Sequence, residues 1–475
     1  MERGIYNIIN PIFISGDIHG DYRVFEHILI DLAHVCHVEK NQTDLTQHVE
    51  LEYNSDLGSD IGSEYDSGNE SDDDDEIDIY GFRNEEQLHW NEGNNTYVIF
   101  VGDIIDSRRD RHGEYSTPND NIDDLYILGT LIRLREEATK NGGNILLCLG
   151  NHEYINFMHF NEIDNNEDFI DTYISYENKE DNREKYFRFG SEFMIKLSQM
   201  IYIFLKINNL LIVHGGFNKK YIENRDLFSD NERFRRILRD ILITDDDKTF
   251  LKQYDNENSP IMYQRLGLLK TQLMESKECD DITNTFKKLD ISQNSFLIIG
   301  HVVQSLENTL GINSTCNNMI WRVDVGMSKC YDNNLEKVIE YISENEDNIK
   351  TKIDYIDRYL YSNYERCRAI SVLSFRYNEI TSSYDTPIII TQNKMSGQLY
   401  ELKEFIPSFR KSASHLVGLQ QLIESLEKIE FKDKQQILDV INSAKGKLVG
   451  GKQKMYKYKY MKYKVKYLMM KNSLI

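Results

Sequence analysis

Hydrophobic residues along this chain gather in short runs, and most runs end alike: at a glycine, with a polar Asp, Asn or His beside it. Residues 11–15 (Pro-Ile-Phe-Ile-Ser) read as a buried strand that stops at Gly16-Asp17-Ile18-His19-Gly20. The run 97–101 stops at Gly102-Asp103, and 144–149 stops at Gly150-Asn151-His152-Glu153. Later runs stop at His214, before Gly215-Gly216, and at Gly300-His301. Between the first three strands the apolar period changes to three or four residues, predicting helices over 21–35 and over 122–138, where Ile122, Leu125, Leu128 and Ile132 share a face. Further strands are expected near 201–206, 209–213, 296–300, 319–325, 369–375 and 386–391, and long helices near 186–199, 231–242 and 417–443. Continuous apolar strands alternating with helices predict an α/β fold around a largely buried sheet. In such sheets ligands sit at the carboxyl ends of the strands, where glycine lets the backbone turn sharply.

Charge refines this picture. The chain has 475 residues, 40% hydrophobic and 28% charged, which excludes a wholly disordered protein and a disulfide-rich miniprotein. A net charge of −22 argues against a body that coats nucleic acid. Residues 41–82 contain no Lys or Arg, and thirteen acids fall between Glu50 and Asp78, so 41–95 is expected to be an acidic, largely disordered insertion. A second acidic insertion is expected at about 160–185, where it would repel acidic partners and favour basic ones. From Lys445 to the end there are ten Lys and no acid. There Tyr456, Tyr460, Tyr463, Tyr467 and Met470 recur at helical spacing, so the tail 446–475 is expected to bind nucleic acid, an anionic membrane or an acidic protein surface, or to fold back on the acidic insertion. Residues 406–445 are expected to form a helical extension before it. Six scattered cysteines without a CxxC pair predict reduced, intracellular thiols rather than a disulfide framework. No apolar run reaches the roughly 20 residues of a membrane span, and the start of the chain lacks a secretory apolar stretch.

The polar set at the strand ends is Asp17, His19, Asp103, Asn151, His214 and His301. Taken singly each has an ordinary explanation: a turn cap after a strand, an Asn capping a helix, a buried imidazole with a backbone partner. Their ordered recurrence points to chemistry. Carboxylates, imidazoles and an amide oxygen suit divalent Mn, Fe or Zn, and the absence of thiolates argues against a structural zinc site. Six ligands with one shared carboxylate fit two cations roughly 3.5–4 Å apart, the arrangement of two-metal phosphate chemistry.

The ordered motifs GDIHG, GDIID, GNHE, VHGG and GH resemble those of the calcineurin-like metallophosphoesterases, in particular the phosphoprotein phosphatase branch. Gly300-His301-Val302-Val303-Gln304 and Trp321-Arg322-Val323-Asp324-Val325-Gly326-Met327-Ser328 resemble the Shewanella-like protein phosphatases. The resemblance covers 11–35 and 97–330, about half the chain. It implies a metallophosphoesterase-type β-sandwich flanked by helices, with a catalytic domain over 1–40 and 96–405. It further implies two metal ions (Mn2+, Fe2+/Fe3+ or Zn2+), the first held by Asp17 and His19, the second by Asn151, His214 and His301, with Asp103 bridging. His152 matches the proton donor to the leaving group, and Asp106 the carboxylate that orients it. Phosphate would be gripped by Arg265 and by Arg108. The family carries Arg directly after the second Asp of GDxxD, whereas Ser107 stands there in this chain. The implied activity is hydrolysis of phosphate monoesters, above all on phosphorylated Ser/Thr proteins. Alternatives are hydrolysis of diadenosine polyphosphates or other small phosphoanhydrides or phosphoesters, and a non-catalytic scaffold acting through the tail. Lys/Tyr-rich tails of this kind resemble those of giant DNA virus proteins, which would place the chain in a host cytoplasm or a virion.

Overall fold

The computed structural model describes residues 3–40, 86–107, 121–167, 181–263, 272–328, 370–392 and 399–402, less short gaps at 218, 223–224, 257–258, 292–294 and 305–310, with scattered positions of 423–439. A seven-stranded sheet runs in the order β17 (Leu399–Leu402), β16 (Ile388–Gln392), β13 (Ile370–Phe375), β2 (Ile12–Ser15), β5 (Tyr97–Phe100), β6 (Asn144–Cys148) and β7 (Ile201–Tyr202). From β2 to β7 it is parallel, and β13, β16 and β17 extend it antiparallel. The second sheet runs β1 (Ile5–Tyr6), β8 (Phe204–Ile207), β9 (Leu210–Val213), β10 (Phe296–Ile299), β12 (Ile320–Arg322) and β11 (Asn313–Thr315), with β9, β10 and β12 parallel.

The two sheets face each other. The Phe296 and Phe375 rings, one from each sheet, lie 5.8 Å apart, and Cys148 Sγ on β6 reaches Ile212 O on β9 at 3.7 Å. Strands β6, β9, β10 and β13 are buried along their whole length. That explains the unbroken apolar runs of β9 and β10, since a strand covered on both faces has no polar side, and β13 hides its Ser371 by bonding it to Thr391. Helix α2 (Asn121–Lys140) packs on β6, so the expected β-sandwich flanked by helices is what forms.

Register positions the site. Ser15 pairs with Phe100, and Phe100 with Leu147, so β2, β5 and β6 end level and their three polar turns leave one edge together. On the facing sheet β9 and β10 run parallel and deliver His214 and His301 just past their ends.

Several expected elements are subdivided. The helix foreseen over 21–35 is α1 (Tyr22–His27), capped by Asp21, followed by a π-helical turn over Ile28–Leu32 that buries Ile28, Leu29 and Leu32 against β13 and β16. Asn151, weighed as a helix cap, lies instead at the first position of α3 (Asn151–Phe160), whose cap is Gly150. The helix foreseen over 186–199 breaks into α4 (Asp181–Phe187) and α5 (Glu192–Leu197). Gly190 between them is left-handed (φ +77°), and Ser191 caps the restart. The apolar run 201–206 is two strands in different sheets, β7 and β8, because both halves are buried. At the corner the Ile203 N–H donates to Asn231 Oδ1 at 2.8 Å, from α6 (Leu227–Arg239).

Among the features not foreseen, three stand out. Strands β3 (Cys36–Lys40) and β4 (Glu86–Trp90) form an antiparallel hairpin whose second strand lies inside the span given to the acidic insertion. Helix α7 (Asp245–Lys252) follows α6. Helix α8 (Gln272–Lys288) carries Cys279, which is bonded to Cys316 with the Cα atoms 5.4 Å apart. This corrects the expectation of reduced thiols for two of the six. The pair is 37 residues apart in sequence and meets only through tertiary packing, so no spacing motif announces it. The 41–85 stretch, 331–362, most of the expected helix over 417–443 and the tail 446–475 lie outside the described residues. Among the described residues no helix is long and apolar enough to cross a membrane.

Candidate metal centre

The turns at the strand ends adopt a backbone that side chains usually avoid. His19 (φ +46°), Asp103 (φ +52°), Asp106 (φ +69°) and His301 (φ +68°) are all left-handed. Such conformations persist only where surroundings over-determine them, and they concentrate at functional sites. Here Ile18 and His19 both donate their N–H to Asp103 O, at 3.0 and 2.9 Å, and Gly20 donates to Ile104 O at 2.6 Å. The buried Glu153 carboxylate accepts four backbone N–H groups: those of Asp103 (2.9 Å), Ile104 (2.7 Å), Ile105 (3.3 Å) and Gly150 (3.0 Å). Gly102 (φ +108°) is required at its turn, because a Cβ there would lie 2.6 Å from Gly150 N and 2.9 Å from His214 Nδ1.

Asp103 stands at the centre. Its Oδ2 lies 3.2 Å from His214 Nε2, 3.9 Å from His19 Nε2 and 4.0 Å from His152 Nε2. Asn151 Oδ1 lies 2.8 Å from His301 Nδ1 and 3.2 Å from His214 Nε2. Two of the imidazoles are aimed by their other nitrogen: His214 Nδ1 donates to Val101 O at 2.9 Å, and His19 Nδ1 to Ile105 O at 3.2 Å. Anchoring one ring nitrogen on a carbonyl fixes the tautomer that leaves the other free as a ligand. Two groups result whose potential ligand atoms lie within 4.8 Å of one another: Asp103 with His214 and His301, and Asp103 with His19 and His152.

The sequence reading gave Asp17 rather than His152 to the second of these groups. Asp17 Oδ2 accepts the His301 N–H at 3.0 Å, while its buried Oδ1 accepts no hydrogen bond from any described residue. Burial, then the carboxylates of Asp324 and Asp103, push the Asp17 carboxyl well above the usual range. A dry carboxylate oxygen with no donor and two acids beside it is what a cation relieves. Burial alone would raise Asp103 too, yet His214, His152 and His19 hold it well below the usual range. Burial, with His214 alongside, pushes His301 down to about 3, leaving a neutral imidazole fit to ligate. These residues suit divalent cations on charge and on donor type.

Beside this centre is a proton-handling pair. His152 Nδ1 meets Asp106 Oδ2 at 2.9 Å. Burial tends to raise the Asp106 carboxyl, but Arg183 and His152 more than offset it and keep it lowered. A carboxylate only accepts, so the proton of this bond sits on Nδ1, and Nε2 faces Asp103. His152 and Asn151 are adjacent on the first turn of α3, and so project to different partners.

Of the six expected ligands, His19, Asp103, His214 and His301 offer atoms to these groups, Asn151 touches His214 and His301, and Asp17 meets the cluster through the His301 N–H, while His152 and Asp106 are hydrogen-bonded to each other. Arg108 and Arg265, expected on phosphate, lie outside the described residues. Sequence reasoning missed Glu153, Asn156, Asp124 and Arg183, the buried groups behind the site. Glu153 had a signal, as the fourth residue of Gly-Asn-His-Glu; Arg183 had none, lying in a stretch read as an acidic insertion.

Two facing sheets with helices outside thus carry an Asp/His/Asn cluster at their level strand ends. Comparison of the sequence bears out the more particular resemblance. The chain is similar to Shewanella-like protein phosphatase 1 of Plasmodium berghei, 25% identical over 257 residues, covering 50% of this chain and 58% of that protein. It thus spans little over half the length of that relative. It is similar also to an uncharacterized protein of Acanthamoeba polyphaga mimivirus, 25% identical over 227 residues, covering 42% of this chain and 87% of that one. Among solved structures it is similar to a cold-active protein-tyrosine phosphatase of a psychrophilic Shewanella, with TM-score 0.46 and 15% identity over 84% of this chain and 82% of the other. A Saccharomyces cerevisiae protein serine/threonine phosphatase gives TM-score 0.31 and 14% identity over 67% and 69%. No family model matches the chain.

Proposed function

We propose that this protein is a two-metal phosphoesterase acting on phosphorylated proteins. The observation that carries the reading is the shared position of Asp103, whose carboxylate belongs to both ligand groups while Asp17 Oδ1 stays buried without a donor among the described residues. Asp17, His19 and Asp103 would hold one divalent cation, and Asp103, Asn151, His214 and His301 the other. When bound, such cations supply charge neutralisation for a phosphate ester and a more acidic water as nucleophile.

The chain's own residues do the rest. Val101 O and Ile105 O keep His214 and His19 in their ligating tautomers. Glu153 holds the turn that presents Asp103. His152, its Nδ1–H held by Asp106, would give the departing oxygen a second proton carried on Nε2, acting as a general acid from the imidazolium form and returning to the neutral ring. No side chain in this scheme attacks phosphorus, so no phosphoenzyme forms. Phosphoproteins, serine/threonine ones first, are the proposed substrates; the Plasmodium relative is named a protein phosphatase. The test is a panel of phosphoserine, phosphothreonine and phosphotyrosine peptides against diadenosine polyphosphate, with Mn2+ present. The reading expects peptide turnover to dominate; turnover of the dinucleotide alone would overturn it.

A further inference from the structure

We infer that Arg183 is a positioning residue for the proton donor, acting through Asp106; this deepens, and rests on, the assignment of His152 as general acid. Arg183 stands in the first turn of α4, and its side chain is 4% exposed. Its NH1 donates to Asp106 Oδ1 at 2.6 Å and to Asn156 Oδ1 at 2.8 Å, and its NH2 donates to Asp124 Oδ2. The other oxygen of Asp106 accepts from His152 Nδ1 and from Asn156 Nδ2, each at 2.9 Å. Asp124 Oδ2 also accepts the backbone N–H of Asp106 at 3.0 Å, at the residue whose φ is +69°.

The consequence is geometric. A carboxylate bonded to a histidine through one oxygen can rotate about its Cβ–Cγ bond, and the imidazole then swings with it. At Asp106 the second oxygen is pinned by a guanidinium, and that guanidinium is pinned by Asp124 on α2 and Asn156 on α3. Rotation of Asp106 would break the Arg183 bond, so His152 Nε2 keeps one direction, toward Asp103. The planar fork of arginine reaches Asp106 and Asp124 together, which a single ammonium group does not do. Both terminal nitrogens are thereby committed to protein oxygens. Arg183 therefore serves the acid and not the phosphate, although it falls in the stretch expected to form an acidic insertion.

The test compares two esters that differ in their need for an acid. Phenyl phosphate has a poor leaving group, and 2,4-dinitrophenyl phosphate leaves unaided. Wild type, His152→Ala, Arg183→Lys and Arg183→Met are assayed with Mn2+, with metal content and thermal unfolding measured alongside. Arg183→Lys keeps the buried charge and is read if Arg183→Met fails to fold. The inference expects kcat on phenyl phosphate to fall on the order of 100-fold in the Arg183 variants, within the usual range for loss of a general acid. On the dinitrophenyl ester it expects a loss of only a few-fold, with KM and bound metal unchanged. If His152→Ala shows this leaving-group dependence and the Arg183 variants do not, the role of Arg183 is overturned and that of His152 stands. If wild type hydrolyses neither ester, the phosphoesterase reading itself fails, and this inference with it.

Discussion

The Glu153 carboxylate accepts the backbone N–H of Asp103 at 2.9 Å, at the turn whose left-handed backbone presents Asp103 to both ligand groups. One buried acid thus fixes the direction of another without touching its side chain. Glu153→Gln keeps the volume but turns one acceptor oxygen into a donor facing N–H groups. The expected cost is about 1–3 kcal/mol, read as a lower unfolding temperature of the metal-free protein. An unchanged temperature would show that the turn does not depend on Glu153.

Gly102 sits where β5 passes the turn before α3 and His214. Gly102→Ala demands both a left-handed alanine and room that the Gly150 backbone occupies. A loss of roughly 2–4 kcal/mol is expected from strain and overpacking together. Urea unfolding checks it through the transition midpoint, and a midpoint equal to wild type would mean that the turn relaxes freely.

His152→Ala removes the proposed acid and none of the proposed ligands. The variant should bind as much metal as wild type while turnover of phenyl phosphate falls at least about 100-fold. Because Asp103 Oδ2 is 4.0 Å from His152 Nε2, a competing possibility is that His152 itself ligates. Loss of one bound ion in the variant, seen by metal analysis, would establish that instead.

Far from the site, Asp247 gives a pH prediction. Burial would raise its carboxyl, but the Thr244 hydroxyl and the Arg233 and Arg236 guanidiniums hold it down to about 2, against 3.8 as the ordinary value. A depressed acid contributes stability above its unfolded value and loses it as pH falls toward the folded one. The contribution should therefore vanish between about pH 4 and pH 2, and amount to about 1–2 kcal/mol, Arg236 being partly screened by solvent. Asp247→Asn should lie below wild type at pH 7 and converge with it near pH 2 in chemical unfolding; parallel curves would refute the account.

How much of this was legible in the sequence follows from the kind of signal each part leaves. Strands buried on both faces leave apolar runs, and the proposed ligands sit directly beyond them, so Asp17, Asp103, Asn151, His214 and His301 could be read from position alone. The corner between β7 and β8 could not, because both halves are equally apolar and the sheet switch depends on Asn231, some 28 residues on. Hairpin β3–β4 was hidden by the 45 intervening residues of 41–85, which separate its strands in sequence but not in space. The groups behind the His152–Asp106 pair were invisible for a further reason. Charged residues are ordinarily solvated, and only tertiary structure reveals that Arg183, Asp124 and Asp106 are buried together.

The central claim is that the chain gathers two divalent cations around Asp103. The most direct test is metal stoichiometry, by elemental analysis and by titration of the metal-free protein with Mn2+, on wild type and Asp103→Asn. The account predicts two ions per wild-type chain and weakened binding of both in the variant. A wild-type protein that takes up none, or an Asp103→Asn protein that still binds two with unchanged affinity, would contradict it.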